Sequence, residues 1–250
     1  MKRILSLLLL ITFSIAQISA TGKRVLFIGD SITDGAWGAA DGRPSKDRSK
    51  TDFNHIYGHG FMADCASYFQ SKYPERQYAF FNRGISGHTV YDLNNRWEED
   101  AIAIEPDVIS ILIGINDIGK WMHDPKQPFN IDGWKAQYEQ ILDRSVKANP
   151  NVKFILCTPF TEKTGRSISS KDYETKRQCV EQCVKVVCEL AKKYDASLLR
   201  YDLMFDELLQ KETKDLAPEY WIWDGIHPTP AAHLRMAEMW IKAFKKLKIK

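Results

Sequence analysis

"DVISILIG" (residues 107–114) and "VKFILCT" (residues 152–158) are near-continuous apolar runs. A strand with one face in water alternates apolar and polar residues, whereas a strand covered on both faces does not. These two stretches therefore read as parallel strands lying between helical layers. Working outward, residues 24–29, 78–82 and 197–201 are shorter runs of the same kind, and with 108–113 and 152–158 they make five predicted strands. Amphipathic patterns at 3.6-residue spacing fall at 60–73, 89–104, 132–148, 173–194 and 230–247. The last opens with Thr229 as N-cap and Pro230 at the first helical position. There is no internal repeat and no low-complexity linker. The alternation specifies one α/β domain with three layers, helix, sheet and helix.

Composition narrows the function classes. The 250 residues are 44% hydrophobic and 27% charged, enough to bury a substantial core. Lys2 and Arg3 precede the apolar run "ILSLLLLITFSIA", and small residues follow. This is the pattern of a secretory signal peptide spanning residues 1–20, with the functional domain at 21–250 and a periplasmic or secreted destination. Cleavage after Ala16 or Ala20 would fit, no Cys lies near either position, and the run is short for a membrane span, so no stable membrane insertion is expected after cleavage. Without Lys2 and Arg3 the chain is close to neutral, which argues against nucleic-acid binding driven by counterion release. The basic end "KAFKKLKIK" reads as the solvated side of a final helix. Cys65, Cys157, Cys179, Cys183 and Cys188 show no zinc-like spacing, and they read as buried free thiols.

The chemistry begins at "FIGDSITDG" (residues 27–35), where a buried strand runs into Asp30 and Ser31. Either the pair caps the next helix, or Ser31 is a nucleophile at the mouth of the sheet. A serine nucleophile needs a base, and the base needs an orienting acid. Of six histidines, His227 stands out because "WDGIHPTP" sets Asp224 three residues before it. A short loop of that form lets the carboxylate fold back onto the imidazole. "FFNRGISG" follows the second strand and "LIGINDIG" the third. A backbone amide at Gly84 and the Asn116 side-chain amide both suit an oxyanion-binding role. Asp30 and Asp117 read as loop ties to backbone amides. The order Ser…Asp…His also occurs in α/β-hydrolases, but those carry a G-x-S-x-G elbow that this chain lacks. A nucleotide-binding reading fails because the first strand-to-helix turn has no Gly-rich phosphate loop.

"GDSIT", the Gly84 turn, "GIND" and "DGIH" resemble, in order and approximate spacing, the four blocks of the SGNH (GDSL) hydrolases. The resemblance covers roughly residues 25–240. It implies a five-stranded parallel flavodoxin-like sheet and a serine esterase without metal or organic cofactor. It further implies Ser31 as nucleophile, His227 as base and Asp224 as its orienter. The oxyanion would be held by the backbone amides of Ser31 and Gly84 and by Asn116.

Three observations tilt the substrate class towards acylated carbohydrate. The stretch 36–60 is polar and contains His55, Tyr57 and His59 where a lipid lid would be apolar. Trp37, Trp121, Trp221 and Trp223 lie close to the catalytic blocks, and indole faces suit pyranose rings. Export would take the protein to where polysaccharides are met. Among these residues Trp37, His55, Trp121 and Trp223 are the candidate substrate contacts, and the overall likeness is to exported bacterial acetyl-xylan and rhamnogalacturonan acetylesterases. A lipid or general acylesterase is the alternative, followed by a non-catalytic glycan-binding protein on the same scaffold. The partner expected is a small-molecule or glycan ester.

Overall fold

Strand-forming residues at 24–29 and 108–112 set the centre of the molecule. A computed structural model describes residues 22–35, 57–167, 171–213 and 215–249. Strands β1 (Arg24–Gly29), β2 (Ala79–Gly84), β3 (Val108–Leu112), β4 (Lys153–Cys157) and β5 (Ser197–Leu199) form one sheet in the order β2-β1-β3-β4-β5, with every neighbouring pair parallel. Among the described residues the helices are α1 (Ser31–Asp34), α2 (Phe61–Lys72), α3 (Val90–Asp100), α4 (Ile115–His123), α5 (Ile131–Ala148), α6 (Tyr173–Lys193), α7 (Tyr201–Glu207) and α8 (Pro230–Lys246).

The unbroken apolar runs follow from this layering. Val25 and Phe27 join one core with α2, α7 and α8, while Leu26 and Ile28 join a second core with α3, α4, α5 and α6. All four side chains are fully buried, each favouring the fold by about 1.5–3 kcal/mol of transfer free energy. Two indole N–H groups inside these cores are paired: Trp240 Nε1 donates to Ser110 Oγ at 2.9 Å, and Trp97 Nε1 donates to Ser145 Oγ at 3.0 Å. All five cysteines are free thiols, four of them buried. No helix among the described residues is long and apolar enough to cross a membrane.

Several element boundaries differ from the sequence expectation. The second strand begins one residue later and runs on to Gly84, because Gly29 and Gly84 are still in register. The fifth stops at Leu199, since Tyr201 opens α7. The pattern over 89–104 divides into α3 and a 3-10 turn at Ile102–Ile104, closed by Glu105 at φ 51°. Thr229 does occupy the N-cap of α8, but its hydroxyl donates to Tyr220 O at 2.6 Å instead of capping. Three helices, α1, α4 and α7, had no counterpart among the five predicted helical stretches.

The strand order places the topological switch between β1 and β3, where connections leave in opposite directions. In open parallel sheets ligands bind outside the carboxyl ends of the strands at such a point. Ser31 follows β1 and Asn116 follows β3.

Candidate active site

Asp30 caps the turn that carries Ser31. Its Oδ1 accepts the Ile32 N–H at 3.0 Å, and Gly35 at φ 62° ends α1 after a single turn. Burial pushes the Asp30 carboxyl up to about 7, against the pull of the Ile32 amide and of His227. From below, Arg96 donates to Gly29 O at 3.2 Å and to Arg83 O at 2.9 Å, and is tied to Asp100 at 2.7 Å. That cation joins the last carbonyl of β1 to β2, so the strand end beneath Ser31 is braced.

The base comes from a tight loop before α8. Trp223 N donates to His227 O at 3.2 Å, Thr229 N donates to Trp221 O at 2.9 Å, and Ile222 bridges Pro228. Inside this loop Asp224 Oδ1 accepts the backbone amides of Ile226 and His227 at 3.1 and 2.8 Å. Its Oδ2 lies 2.8 Å from His227 Nδ1, and His227 Nε2 lies 2.9 Å from Ser31 Oγ. Burial alone would raise the Asp224 carboxyl. The hydrogen bonds from the His227 ring and backbone, and from Arg166, outweigh it and hold the group well below the usual carboxylate range. The carboxylate is therefore charged and aimed at the imidazole, whose far nitrogen meets the serine hydroxyl.

The third part lies beside Ser31 at the ends of β2 and β3. Gly84 departs from its expected role. Its N–H donates to Asn82 Oδ1 at 2.9 Å, and a Cβ there would lie 2.3 Å from Asp34 N. Gly84 is small so that β2 can press against α1, and its amide is already committed. Asn82 completes that junction, donating to Thr33 O at 3.0 Å and to Tyr57 O at 2.8 Å. Beyond it the chain turns, with His88 N donating to Ile85 O at 3.2 Å and Gly87 at φ 79°. Gly87 is exposed, and no hydrogen bond among the described residues takes up its N–H. Asn116 Nδ2 donates to His88 O at 3.1 Å, which spends one of its two hydrogens. Asp117 accepts Val90 N with both oxygens, at 3.1 and 3.2 Å, tying α4 to the start of α3, and burial pushes its carboxyl up to about 7.

A cleft of about 370 Å³ opens over these groups, lined by Ser31, His59, Ser86, Trp223, His227 and His233 among others. Trp223 is 54% exposed and stacks beside His227 at 6.2 Å. His233 lines the cleft from within, its Nδ1 accepting Phe61 N at 3.1 Å, and burial pushes it down to about 4. Trp121 does not join this cleft. It donates to Gln127 O at 2.7 Å and lines a separate cavity with Phe129 and Trp134. Trp221 is buried and donates to Thr213 Oγ1 at 2.7 Å. Trp37 and His55 lie outside the described residues. The sequence reading missed Asn82, Arg96, Arg166 and His233; Asn82 alone stood within a quoted block.

A serine, a histidine and a carboxylate in one hydrogen-bonded row, at the switch point of a parallel sheet, make the arrangement of a serine hydrolase. The GDSL-like Lipase/Acylhydrolase family model matches residues 27–235. The chain belongs to that family, the SGNH hydrolases, and is a carboxylic ester hydrolase. It is 34% identical to an acetylxylan esterase of Geobacillus stearothermophilus over 226 residues, covering 89% of this chain and 94% of that one. Among solved structures, a GDSL-like protein of Parabacteroides merdae superposes with a TM-score of 0.76 at 28% identity, over 90% of this chain and 96% of that one. Axe2, an acetylxylan esterase from Geobacillus stearothermophilus, superposes with a TM-score of 0.70 at 31% identity, over 92% and 97%.

Proposed function

We propose that the protein removes O-acetyl groups from carbohydrate by a two-step serine mechanism. Ser31 attacks the ester carbonyl while His227 takes its proton, and Asp224 holds the imidazole in the required tautomer and stabilises the imidazolium. His227 then protonates the leaving sugar hydroxyl. Water, activated by the same base, releases acetate from Ser31. The observation that carries this reading is the row Ser31 Oγ, His227, Asp224, with contacts of 2.9 and 2.8 Å.

The oxyanion is assigned to the Ser31 backbone amide, the remaining hydrogen of Asn116 and the Gly87 amide. Gly87 replaces Gly84 in that role because the Gly84 N–H is spent on Asn82. Trp223, exposed and beside His227, supplies an aromatic face for a sugar ring. The likeness to acetylxylan esterases supports the same substrate class. The protein acts after export, with residues 1–20 as the leader; N-terminal sequencing of protein recovered outside the cytoplasm tests that assignment. Hydrolysis of 4-nitrophenyl esters from acetate to decanoate tests the acyl specificity. Activity falling steeply beyond acetate supports the proposal, and activity rising with chain length would move the protein to the lipid esterases.

A further inference from the structure

The Asp–His loop is supported by a segment that carries none of the four blocks. After β4 the chain runs through residues 158–167, including a 3-10 turn at Gly165–Ser167, before reaching α6. This segment is knitted to the loop by hydrogen bonds: Glu162 N donates to Gly225 O at 2.8 Å, Thr164 Oγ1 to Ile222 O at 2.7 Å, and Gly165 N to Glu219 Oε1 at 3.1 Å. Two glycines permit the approach. Gly165 sits at φ 50° where a Cβ would lie 2.2 Å from Trp223 O, and Gly225 sits at φ 91° where a Cβ would lie 1.9 Å from Ser167 Oγ.

The turn delivers Arg166 to the catalytic carboxylate. Its Nη2 donates at 2.8 Å to Asp224 Oδ2, the oxygen that also faces His227 Nδ1 at 2.8 Å. The guanidinium also lies over the Trp223 ring, 5.9 Å from its centre. Its side chain is 77% exposed, whereas the Asp224 side chain is 1% exposed. A charged donor reaches in from solvent, in effect, to a buried acceptor that already serves the base.

We infer that Arg166 is a positioning residue of the esterase: its guanidinium fixes the Asp224 carboxylate in line with His227 Nδ1 and offsets part of the negative charge that this carboxylate presents to the base. The inference rests on the reading of Ser31, His227 and Asp224 as the catalytic row. An imidazolium is stabilised by a carboxylate in proportion to the charge left facing it, and a guanidinium on the same oxygen reduces that charge. Among the described residues, the other charged or titratable groups around His227 and Asp224 are Asp30 under the nucleophile turn, Asp34 and His59 in the lining of the cleft, His233 on α8 and Lys176 on α6. None of them donates a hydrogen bond to Asp224 Oδ2 in the structure, so Arg166 acts on that atom directly.

The test is the pH profile of kcat/KM on 4-nitrophenyl acetate for wild type, Arg166→Ala and Arg166→Lys, at low and high salt. In Arg166→Ala the acid limb is expected to move to higher pH by about half a unit to one unit, a threefold to tenfold loss below the limb. Arg166→Lys should lie between the two, because it keeps the charge without the fork. Salt should move the wild-type limb towards that of Arg166→Ala, since the guanidinium is exposed and screened, and should move the variant less. An acid limb that coincides in all three proteins at both salts, or one that moves to lower pH in Arg166→Ala, overturns the inference and leaves Arg166 a loop contact. Ser31→Ala run alongside separates this from failure of the underlying reading, because activity surviving there would remove the catalytic row itself.

Discussion

Gly84 and Gly87 lie three residues apart, and substitution separates what each does. Alanine at 84 would press its Cβ against Asp34 N at 2.3 Å inside a buried junction. Its expected cost is about 1–3 kcal/mol or more in stability, read as a lowered urea midpoint. A Cβ at 87 meets nothing within 4 Å, so alanine there pays only for its positive φ, about 1–2 kcal/mol. Asn116→Ala belongs to a different class: turnover should fall by on the order of 10²–10³ while the urea midpoint holds, as expected for a lost oxyanion donor. Equal loss of stability and activity in that variant would instead make Asn116 a tie for the His88 turn. Asp224→Asn should lower kcat by about 10⁴, because the amide no longer enforces the working imidazole tautomer. In sequence "NRGISG" offers two glycines, and residue type alone does not say whose amide is free. The Asn82 carboxamide decides it, and that contact exists only once β2 is aligned with α1.

At the scale of elements, α1 is a single turn whose start depends on a buried acid. The Asp30 carboxyl sits at about 7 in the fold against an ordinary 3.8. The neutral form is thus the one the fold favours. Its stabilisation is complete below about pH 4 and is lost as pH rises through 7. Asp30→Asn keeps the acceptor for Ile32 N without the charge, so its stability relative to wild type should improve between pH 4 and 8. Urea unfolding at those two pH values checks this, and a constant difference would refute it. Elements with long periodic patterns, such as β3, β4, α5 and α6, were legible because one physical cause, burial on one or both faces, shaped many consecutive residues. α4 was not, since Asn116, Asp117 and Gly119 are poor helix formers and the helix is held by Asp117 on Val90. The segment bearing Arg166 was illegible for another reason: its role is contact with a loop 58 positions away in the chain.

For the whole molecule, the layered α/β architecture was readable from alternation and the five-stranded parallel sheet from the family resemblance, while the position of the cleft followed from where the strand order reverses in the structure. The four blocks converge on that rim, although Trp121 turns into a neighbouring cavity and, among the described residues, Trp223 is the exposed tryptophan beside the base. Trp223→Ala should therefore raise KM for acetylated xylo-oligosaccharides several-fold while changing kcat/KM on 4-nitrophenyl acetate less, a split that steady-state kinetics on the two substrates would read. The most direct measurement is acetate release from acetylated xylo-oligosaccharides by wild type and Ser31→Ala, followed by quantifying free acetate. Release by wild type, lowered by at least about 10⁴ in Ser31→Ala, is the expected outcome. Undiminished release by Ser31→Ala would contradict the assignment of the nucleophile, and no release by a wild type active on 4-nitrophenyl acetate would contradict the assignment of the substrate.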